Sequence, residues 1–329
     1  MFYYIENYHT NPYFNLALEQ AVFDRLDRQH SYCMLWQNDN AVIIGKHQIT
    51  EAEINRHLVD SRGICVVRRL SGGGAVYHDL GNINFTFITD AGTGNDISFA
   101  AFCKPVQQAL LSFGVSAVIS GRNDMTVNQC KISGNAQYSR ENRVMHHGTL
   151  LYDTDLTMLS QALTGGAKVE SPGIASVRSR VTNIRPYMHT DMPSDMFRSA
   201  LRDFLFAALD MREYTLSADD MAAAETLRDR VYSQWDWNYG ASPPYNVRKS
   251  RRIEGCGTVE VLLNVGKSGI IENAAFHGDF FGTDDPADLA ALLAGHRLER
   301  EELAKMVPGT VSRYFHNMEA AELLELLLD

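Results

Sequence analysis

The sequence predicts a mixed α/β fold with a smaller α/β domain at its C-terminal end. Three observations carry that prediction. Helix-patterned segments alternate with short apolar runs up to the residue Asn82, which is the signature of an α/β chain. Between Val115 and Tyr152 strand-like runs instead follow one another, so the sheet is mixed rather than strictly parallel. Near Trp237, in WNYGASPPYNVRKSRR, a glycine, a serine and a proline pair meet a basic cluster, as at a domain boundary. The expected division is residues 1–244 and 245–329.

The elements follow in order. NPYFNLALEQAVFDRLD places Phe14, Leu18, Ala21, Val22 and Leu26 at spacings of three and four, which predicts a helix. YCMLW and AVIIG read as strands. TEAEINRHL opens with Thr50 and Glu53 in capping-box spacing and predicts a short helix. GICVVRRL returns to strand character and runs into glycines, and NINFTFI alternates, with Ile83, Phe85 and Phe87 on one face and Asn84 and Thr86 on the other. SFAAFCKPVQQALLSFG predicts a helix with Pro105 near its start or at a kink. VSAVI, DMTV, QCKI and VMHHGTLLY read as further strands, and helices are expected over Ser194–Leu209 and Ser217–Tyr232. Beyond the boundary, GTVEVLLNV and GIIENAAFHG predict a hairpin, followed by helices starting near Pro286 and Glu299.

A formal charge of −10 on 329 residues argues against non-specific nucleic-acid binding, which needs a basic face. Local basic clusters still allow anionic ligands. The five cysteines form no CxxC pair, which fits a reducing compartment. The N-terminal segment MFYYIENYHTNPYF lacks a signal-peptide pattern, and no apolar run reaches the roughly 20 residues of a membrane span. A cytoplasmic protein that binds neither nucleic acid nor membrane is expected, with monomer as the default state.

Three stretches concentrate polar chemistry. RRLSGGGAVYHDLGN sets Gly72, Gly73 and Gly74 beside Arg68 and Arg69. Closely approaching backbone N–H groups with guanidinium nearby suit an anion, and a glycine-rich turn with solvated arginines is the alternative. The run matches neither GxGxxG nor GxxxxGK[ST]. GRNDMTVNQCKISGNAQ brings Asp124, able to hold a divalent metal or a ribose, and Lys131 ahead of a Gly-Asn turn. HHGTLLY carries His146 and His147, which point to opposite faces of a strand. At most one can face a site, and the other is expected to be a hydrogen-bonded structural histidine. Together these groups suit stabilising phosphate charge more than cleaving a peptide or ester.

RRLSGGGAVYHD, KISGNAQ and HHGTLLYDTDL, in this order and spacing, resemble the three motifs of lipoate-protein ligases. GRND, SPGIASVRSRVTN and WDWNYG are similar to further segments of that family. The resemblance runs from about Asn11 to Gly240, and the tail resembles the family's small accessory domain. It implies a catalytic domain like that of biotin ligases and a two-step reaction. Lipoate and ATP would form lipoyl-AMP and pyrophosphate, with the lipoyl group then passing to a lysine of an acceptor. The acceptors implied are lipoyl domains of 2-oxoacid dehydrogenase acyltransferase subunits and the H protein of glycine cleavage. The same resemblance implies that Arg69, Gly74, Ala75, Val76 and Tyr77 hold ATP, with Asn82 at the adenine. Lys131 would touch both the lipoate carboxylate and the α-phosphate, Asp124 would take Mg2+, and Arg68, Ser71, Gly73 and His147 would line the lipoate. Ser176 to Arg180 would form a loop over the adenylate.

Lipoate's aliphatic tail wants apolar surroundings, worth roughly 0.8 kcal/mol per buried methylene, and the apolar faces of NINFTFI and AVIIG are candidates to line them. An acidic acceptor would need a basic face, for which Arg178, Arg180, Arg185 or the cluster Arg248-Lys249-Arg251-Arg252 are available. Two alternatives remain. An octanoyl- or lipoyl-transferase of the same fold needs no ATP and uses a cysteine, but no thiol stands at Ser171-Pro172-Gly173, and Cys130 should face away from Lys131. A non-catalytic lipoate-binding protein would lack lipoate-dependent ATP–pyrophosphate exchange.

Overall fold

The computed structural model describes the chain except residues 91–97, 122, 164–180, 240–245, 267–268 and 329, and the side chains of 51 and 52. The Ser176–Arg180 loop and the Ser171-Pro172-Gly173 turn lie outside the described residues. The chain divides into two compact units: Met1–Ile44, Glu51–Arg68 and Ala75–Asn238 form the first, and Gly45–Thr50, Arg69–Gly74 and Tyr239–Asp329 the second.

The first unit is built on an eight-stranded mixed sheet. Its strands are β1 (Phe2–Glu6), β2 (Ser31–Trp36), β6 (Asn82–Asp90), β7 (Val118–Ser120), β8 (Asp124–Val127), β9 (Cys130–Arg140), β10 (Arg143–Leu151) and β11 (Arg212–Glu213). They lie in the order β11-β1-β2-β6-β10-β9-β8-β7, parallel among the first three and antiparallel from β2 onward. A second sheet joins β3 (Ala41–Ile44), β4 (Cys65–Arg68) and β5 (Val76–His78) in the order β4-β3-β5. Strands β1 and β5 carry no clean alternation and were not expected from the sequence.

Helix α1 (Pro12–Arg25) begins where expected: the Asn11 side chain accepts the N–H groups of Tyr13 and Phe14, and Pro12 occupies the first turn. TEAEINRHL is not one helix. It splits into α2 (Thr50–Glu53) and α3 (Arg56–Ser61), because the Asn55 side chain caps a new helix by accepting from Leu58 and its N–H goes to the Ala162 carbonyl. Helix α4 (Phe99–Ser112) holds Pro105 in its interior, α5 (Leu156–Ala162) follows β10, and α6 (Ser194–Ala208) matches its prediction. The segment expected as one helix over Ser217–Tyr232 is α7 (Ala218–Leu227), opened by a Ser217–Asp220 capping box and followed by a π-helical turn, Arg228–Tyr232. A short α8 (Trp235–Asn238) ends the unit.

Sheet alternation sorts the two faces. Ile83, Phe85 and Phe87 of β6, Cys33 and Leu35 of β2 and Val144 and Leu150 of β10 fill the core with Phe102, Cys103 and Val106 of α4 and Phe197, Leu201 and Leu205 of α6. The face of NINFTFI considered for a lipoate tail is therefore already packed, each of its three side chains at most 1% exposed. AVII is equally buried. On the other face, α1 lies against α7, and Arg143 donates to the Phe23 and Leu26 carbonyls at the C-terminal end of α1.

The second unit carries a three-stranded antiparallel sheet of β12 (Val247–Ile253), β13 (Gly257–Val265) and β14 (Ile271–Gly278). Helices α9 (Pro286–Leu293), α10 (Arg300–Met306), α11 (Val311–Tyr314) and α12 (Ala320–Leu328) close over it. The basic cluster is strand β12. Arg248 pairs with Glu260, Arg251 with Glu325, and Lys249 donates to the Leu327 carbonyl, so much of its charge is spent within the unit. Among the described residues no helix is long and apolar enough to cross a membrane.

Candidate active site

Lys131 owes its direction to a β-bulge. In the β8–β9 ladder Thr126 opposes Lys131 but Met125 opposes Ser133, so Ile132 is an extra residue and the alternation of faces slips by one. Lys131 and Gly134 thereby share a face, and Lys131 Nζ lies 2.9 Å from where a Cβ on Gly134 would stand. Asp124, opposite Gly134, is on that face too, its Oδ1 2.7 Å from Lys131 Nζ. Both side chains are about one-third exposed, at 36% and 35%, so a ligand can reach them.

The polar stripe continues across the sheet. Thr149 Oγ1 accepts the Gly134 N–H, and Thr149 is paired with Asn84 on β6. Asn82, Asn84 and Thr86 share this face, as does His147 beside Thr86. Asn82 Nδ2 donates to Asn84 Oδ1 at 3.0 Å, while Asn82 Oδ1 and Asn84 Nδ2 are buried with no partner among the described residues. Buried amide atoms left unpaired cost on the order of 1–3 kcal/mol each, so these two mark a place for a polar ligand. Glu19 of α1 reaches the same stripe: its carboxylate accepts from the Thr86 hydroxyl and lies 3.1 Å from His147 Nδ1, while Trp36 Nε1 donates to Thr86 at 2.9 Å. Sequence reading missed Glu19. The signal was there, a carboxylate four residues after Asn15 on a helix whose neighbouring positions are apolar.

His146 faces the opposite way, into the core, as expected of one member of the pair. It stacks on Phe85 and Phe102 and is fully buried, which pushes its pKa down to about 3 and keeps the ring neutral. The unfolded chain binds that proton near pH 6.5, so this group's contribution to stability is present above pH 6.5 and is lost as pH falls towards 3. Denaturant melts across that window should show the parent losing stability with a slope up to about 1.4 kcal/mol per pH unit steeper than His146→Gln. Parallel slopes would mean the ring protonates in place.

The glycine loop, in the second unit, answers differently from expectation. The Gly73 N–H donates to the Phe280 carbonyl at 3.2 Å, so it is not offered to an anion. A Cβ on Gly72 would sit 2.2 Å from that same carbonyl oxygen, and Gly73 has φ +91° against the Phe281 ring. Only at Gly74 would a Cβ meet nothing within 4 Å. Arg69, buried, donates to Ser71 Oγ and to the Gly72 and Gly74 carbonyls, holding the loop's shape. Two glycines thus serve packing and one leaves open backbone. Gly72→Ala should destabilise the second unit by about 1–3 kcal/mol, because a backbone oxygen cannot step aside, whereas Gly74→Ala should melt like the parent. Equal melts for both would remove the close approach.

Elsewhere the motif residues do structural work. Arg68, whose burial lowers its pKa to about 10, donates to the Trp237 and Asn238 carbonyls, while Trp237 Nε1 donates back to the Arg68 carbonyl. Asp79 accepts the N–H groups of Gly81, Asn82 and Asp155, fixing the turn into β6. Ala75 leads into β5, which carries Val76 and Tyr77; Tyr77 is buried, with its hydroxyl on Asn40.

Residues 11–206 match the family model described as the lipoyl protein ligase A/B catalytic domain, and residues 242–327 match the bacterial lipoate protein ligase C-terminus. The chain belongs to the lipoate-protein ligase family. Among its relatives, the lipoate-protein ligase LplJ of Bacillus subtilis is 42% identical over 98% of this chain and 99% of its own. Lipoate–protein ligase 1 of Staphylococcus aureus is 40% identical over 97% of each. A lipoate-protein ligase A solved with ATP superposes with a TM-score of 0.61 at 27% identity, covering 73% of this chain and 98% of that one. P. falciparum LipL1, solved with lipoate, is 22% identical and superposes with a TM-score of 0.81 over 100% of this chain and 99% of its own, a likeness of fold. The mixed α/β fold and the ligase class expected from the motifs are those of this family.

Proposed function

We propose that this member of the lipoate-protein ligase family joins lipoate to acceptor lysines in two ATP-dependent steps. The observation that carries the reading is the Lys131–Asp124 pair, turned by the bulge onto a face that also holds the unpaired amide atoms of Asn82 and Asn84. In the first step a lipoate carboxylate oxygen bonds to the α-phosphorus of ATP and the bond to pyrophosphate breaks. Two anions must approach, and the Lys131 ammonium offsets their charge as it builds. In the second step an acceptor amine attacks the lipoyl carbonyl and AMP leaves, the same ammonium facing the oxyanion.

Asn82 would meet the adenine through its unpaired Oδ1, with Arg69, Gly74, Ala75, Val76 and Tyr77 also assigned to ATP. Arg68, Ser71, Gly73 and His147 are assigned to lipoate; Arg68 and Arg69 already hold backbone carbonyls, so they would act mainly by shaping their loops. Asp124, a single carboxylate, fits a magnesium ion held largely by nucleotide phosphates and water. Such an ion would further neutralise the phosphates. The acceptors would be lipoyl domains of 2-oxoacid dehydrogenase acyltransferase subunits and the H protein. The reading assigns residues 1–244 to catalysis and 245–329 to the accessory domain, in a cytoplasmic monomer.

The test is the intact mass of an apo lipoyl domain or apo H protein incubated with the enzyme and lipoate, with and without ATP and Mg2+. A lipoyl-sized gain that requires ATP supports the ligase. A gain only from an octanoylated carrier protein, without ATP, would move the assignment to a transferase, and no gain from either source would leave a binding protein.

A further inference from the structure

We infer that His146 is a positioning residue for the Lys131–Asp124 pair, acting from the core face of the sheet through Asn135 and Asn123. This rests on the ligase reading for its kinetic consequence, though not for its geometry. Gln137 Nε2 lies 3.1 Å from His146 Nδ1, and an amide nitrogen there must donate, so Nδ1 accepts and the proton of the neutral ring sits on Nε2. That Nε2–H donates to Asn135 Oδ1 at 3.2 Å, with Cys103 Sγ a more distant neighbour at 3.8 Å. Fixing Oδ1 in this way aims Asn135 Nδ2 at the Asn123 carbonyl, 3.0 Å away.

The same carbonyl accepts the Asn135 backbone N–H at 2.9 Å, and Asn123 Nδ2 returns a bond to the Asn135 carbonyl at 2.6 Å. Three hydrogen bonds therefore clasp the end of the β8–β9 hairpin, immediately beside the Asp124–Gly134 pairing. The bulge lies just inside the clasp. A bulged ladder is prone to slip, and a slip of one residue would turn Lys131 away from the polar face. Gly148 makes room for the arrangement: a Cβ there would fall 2.1 Å from Asn135 Oδ1 and 2.5 Å from the Phe85 ring. The third residue of HHGTLL is thus a glycine because the asparagine that reaches His146 occupies its space.

The experiment compares His146→Leu, His146→Gln and the parent in lipoate-dependent ATP–pyrophosphate exchange and in backbone amide hydrogen exchange of Asn135 by NMR. Leucine removes the donor; glutamine restores a nitrogen donor near the Nε2 position. For folded His146→Leu we expect kcat to fall about tenfold with KM for lipoate unchanged, and Asn135 amide protection to fall by a similar factor. His146→Gln should recover most of both. His146→Leu combined with Asn123→Ala should be no slower than the slower single variant, since one chain of bonds is being cut twice. If His146→Leu does not fold, Asn123→Ala, at the solvent end of the clasp, should show the same kcat loss at constant KM. Wild-type kcat and wild-type protection in folded His146→Leu, or in Asn123→Ala where it stands in, would overturn the inference. Loss of Asn135 protection in an enzyme whose parent shows no exchange activity would keep the clasp and reject the ligase reading instead.

Discussion

Lys131→Ala should form lipoyl-AMP about 10²–10³-fold more slowly than the parent, the cost of removing one preorganised charge-stabilising donor. Its stability should change by under about 1 kcal/mol, because a one-third exposed pair with Asp124 contributes little to folding. Both halves matter. A lysine kept for stability would reverse the pattern, giving a lower melting temperature and near-normal turnover. The measurement is lipoate-dependent ATP–pyrophosphate exchange beside a denaturant melt. Asp124→Asn separates the partners further: it leaves the ammonium in place, so it should lose less kcat than Lys131→Ala, while its dependence on Mg2+ concentration should steepen if the carboxylate helps hold the ion. An exchange rate within threefold of the parent in Lys131→Ala would remove the residue from the chemistry.

The second large effect comes from a methyl group. Gly134→Ala places a Cβ 2.9 Å from Lys131 Nζ and 3.0 Å from Cε, so the lysine must leave its present position. The atoms in the way are the far end of a flexible side chain, and Gly134 has no left-handed φ to strain. Folding should therefore be unharmed, even improved by about 0.4–1 kcal/mol, as an unfolded chain with alanine has less entropy to lose. Exchange activity should nevertheless drop about 100-fold, in keeping with what an ångström of misplacement costs a reacting group. A more stable and nearly inactive variant is an unusual combination, and a structural glycine would not produce it. Full activity in Gly134→Ala would show that Lys131 works from some other position.

Much of the candidate site was legible in the motifs because each motif is local. Lys131, Asp124, His147 and Asn82 each lie in a short polar motif, and the sheet brings them to one face. Glu19 escaped because the spacing that marks the helix picks out Phe14, Leu18, Ala21, Val22 and Leu26, whereas α1 is buried on nearly every side, Asn15 and Glu19 included. The apolar face of NINFTFI misled for a related reason. Alternation says that Ile83, Phe85 and Phe87 point together, but not whether helix or ligand covers them, and here α4 does. Asn55 shows how one side chain overrides a helical pattern, ending α2 and starting α3 within a stretch that reads as continuous.

What depends on neighbours along the chain is legible in the amino acids alone: helices beginning near Asn11 and Ser217, the alternation of β6, the ligase motifs and through them the chemistry expected. The folded structure supplies what depends on residues far apart. It showed that the slip at Ile132, visible solely as a mismatch with Met125 across the ladder, turns Lys131 towards Gly134 and Asp124. It likewise showed that Gly72 and Gly73 are glycines because the backbone of Phe280 and the ring of Phe281 lie against them, leaving Gly74 as the open position. Caps and alternation are set by bonds a few residues long, whereas a bulge's direction and a glycine's neighbour are set by packing across the fold, and no local pattern records them.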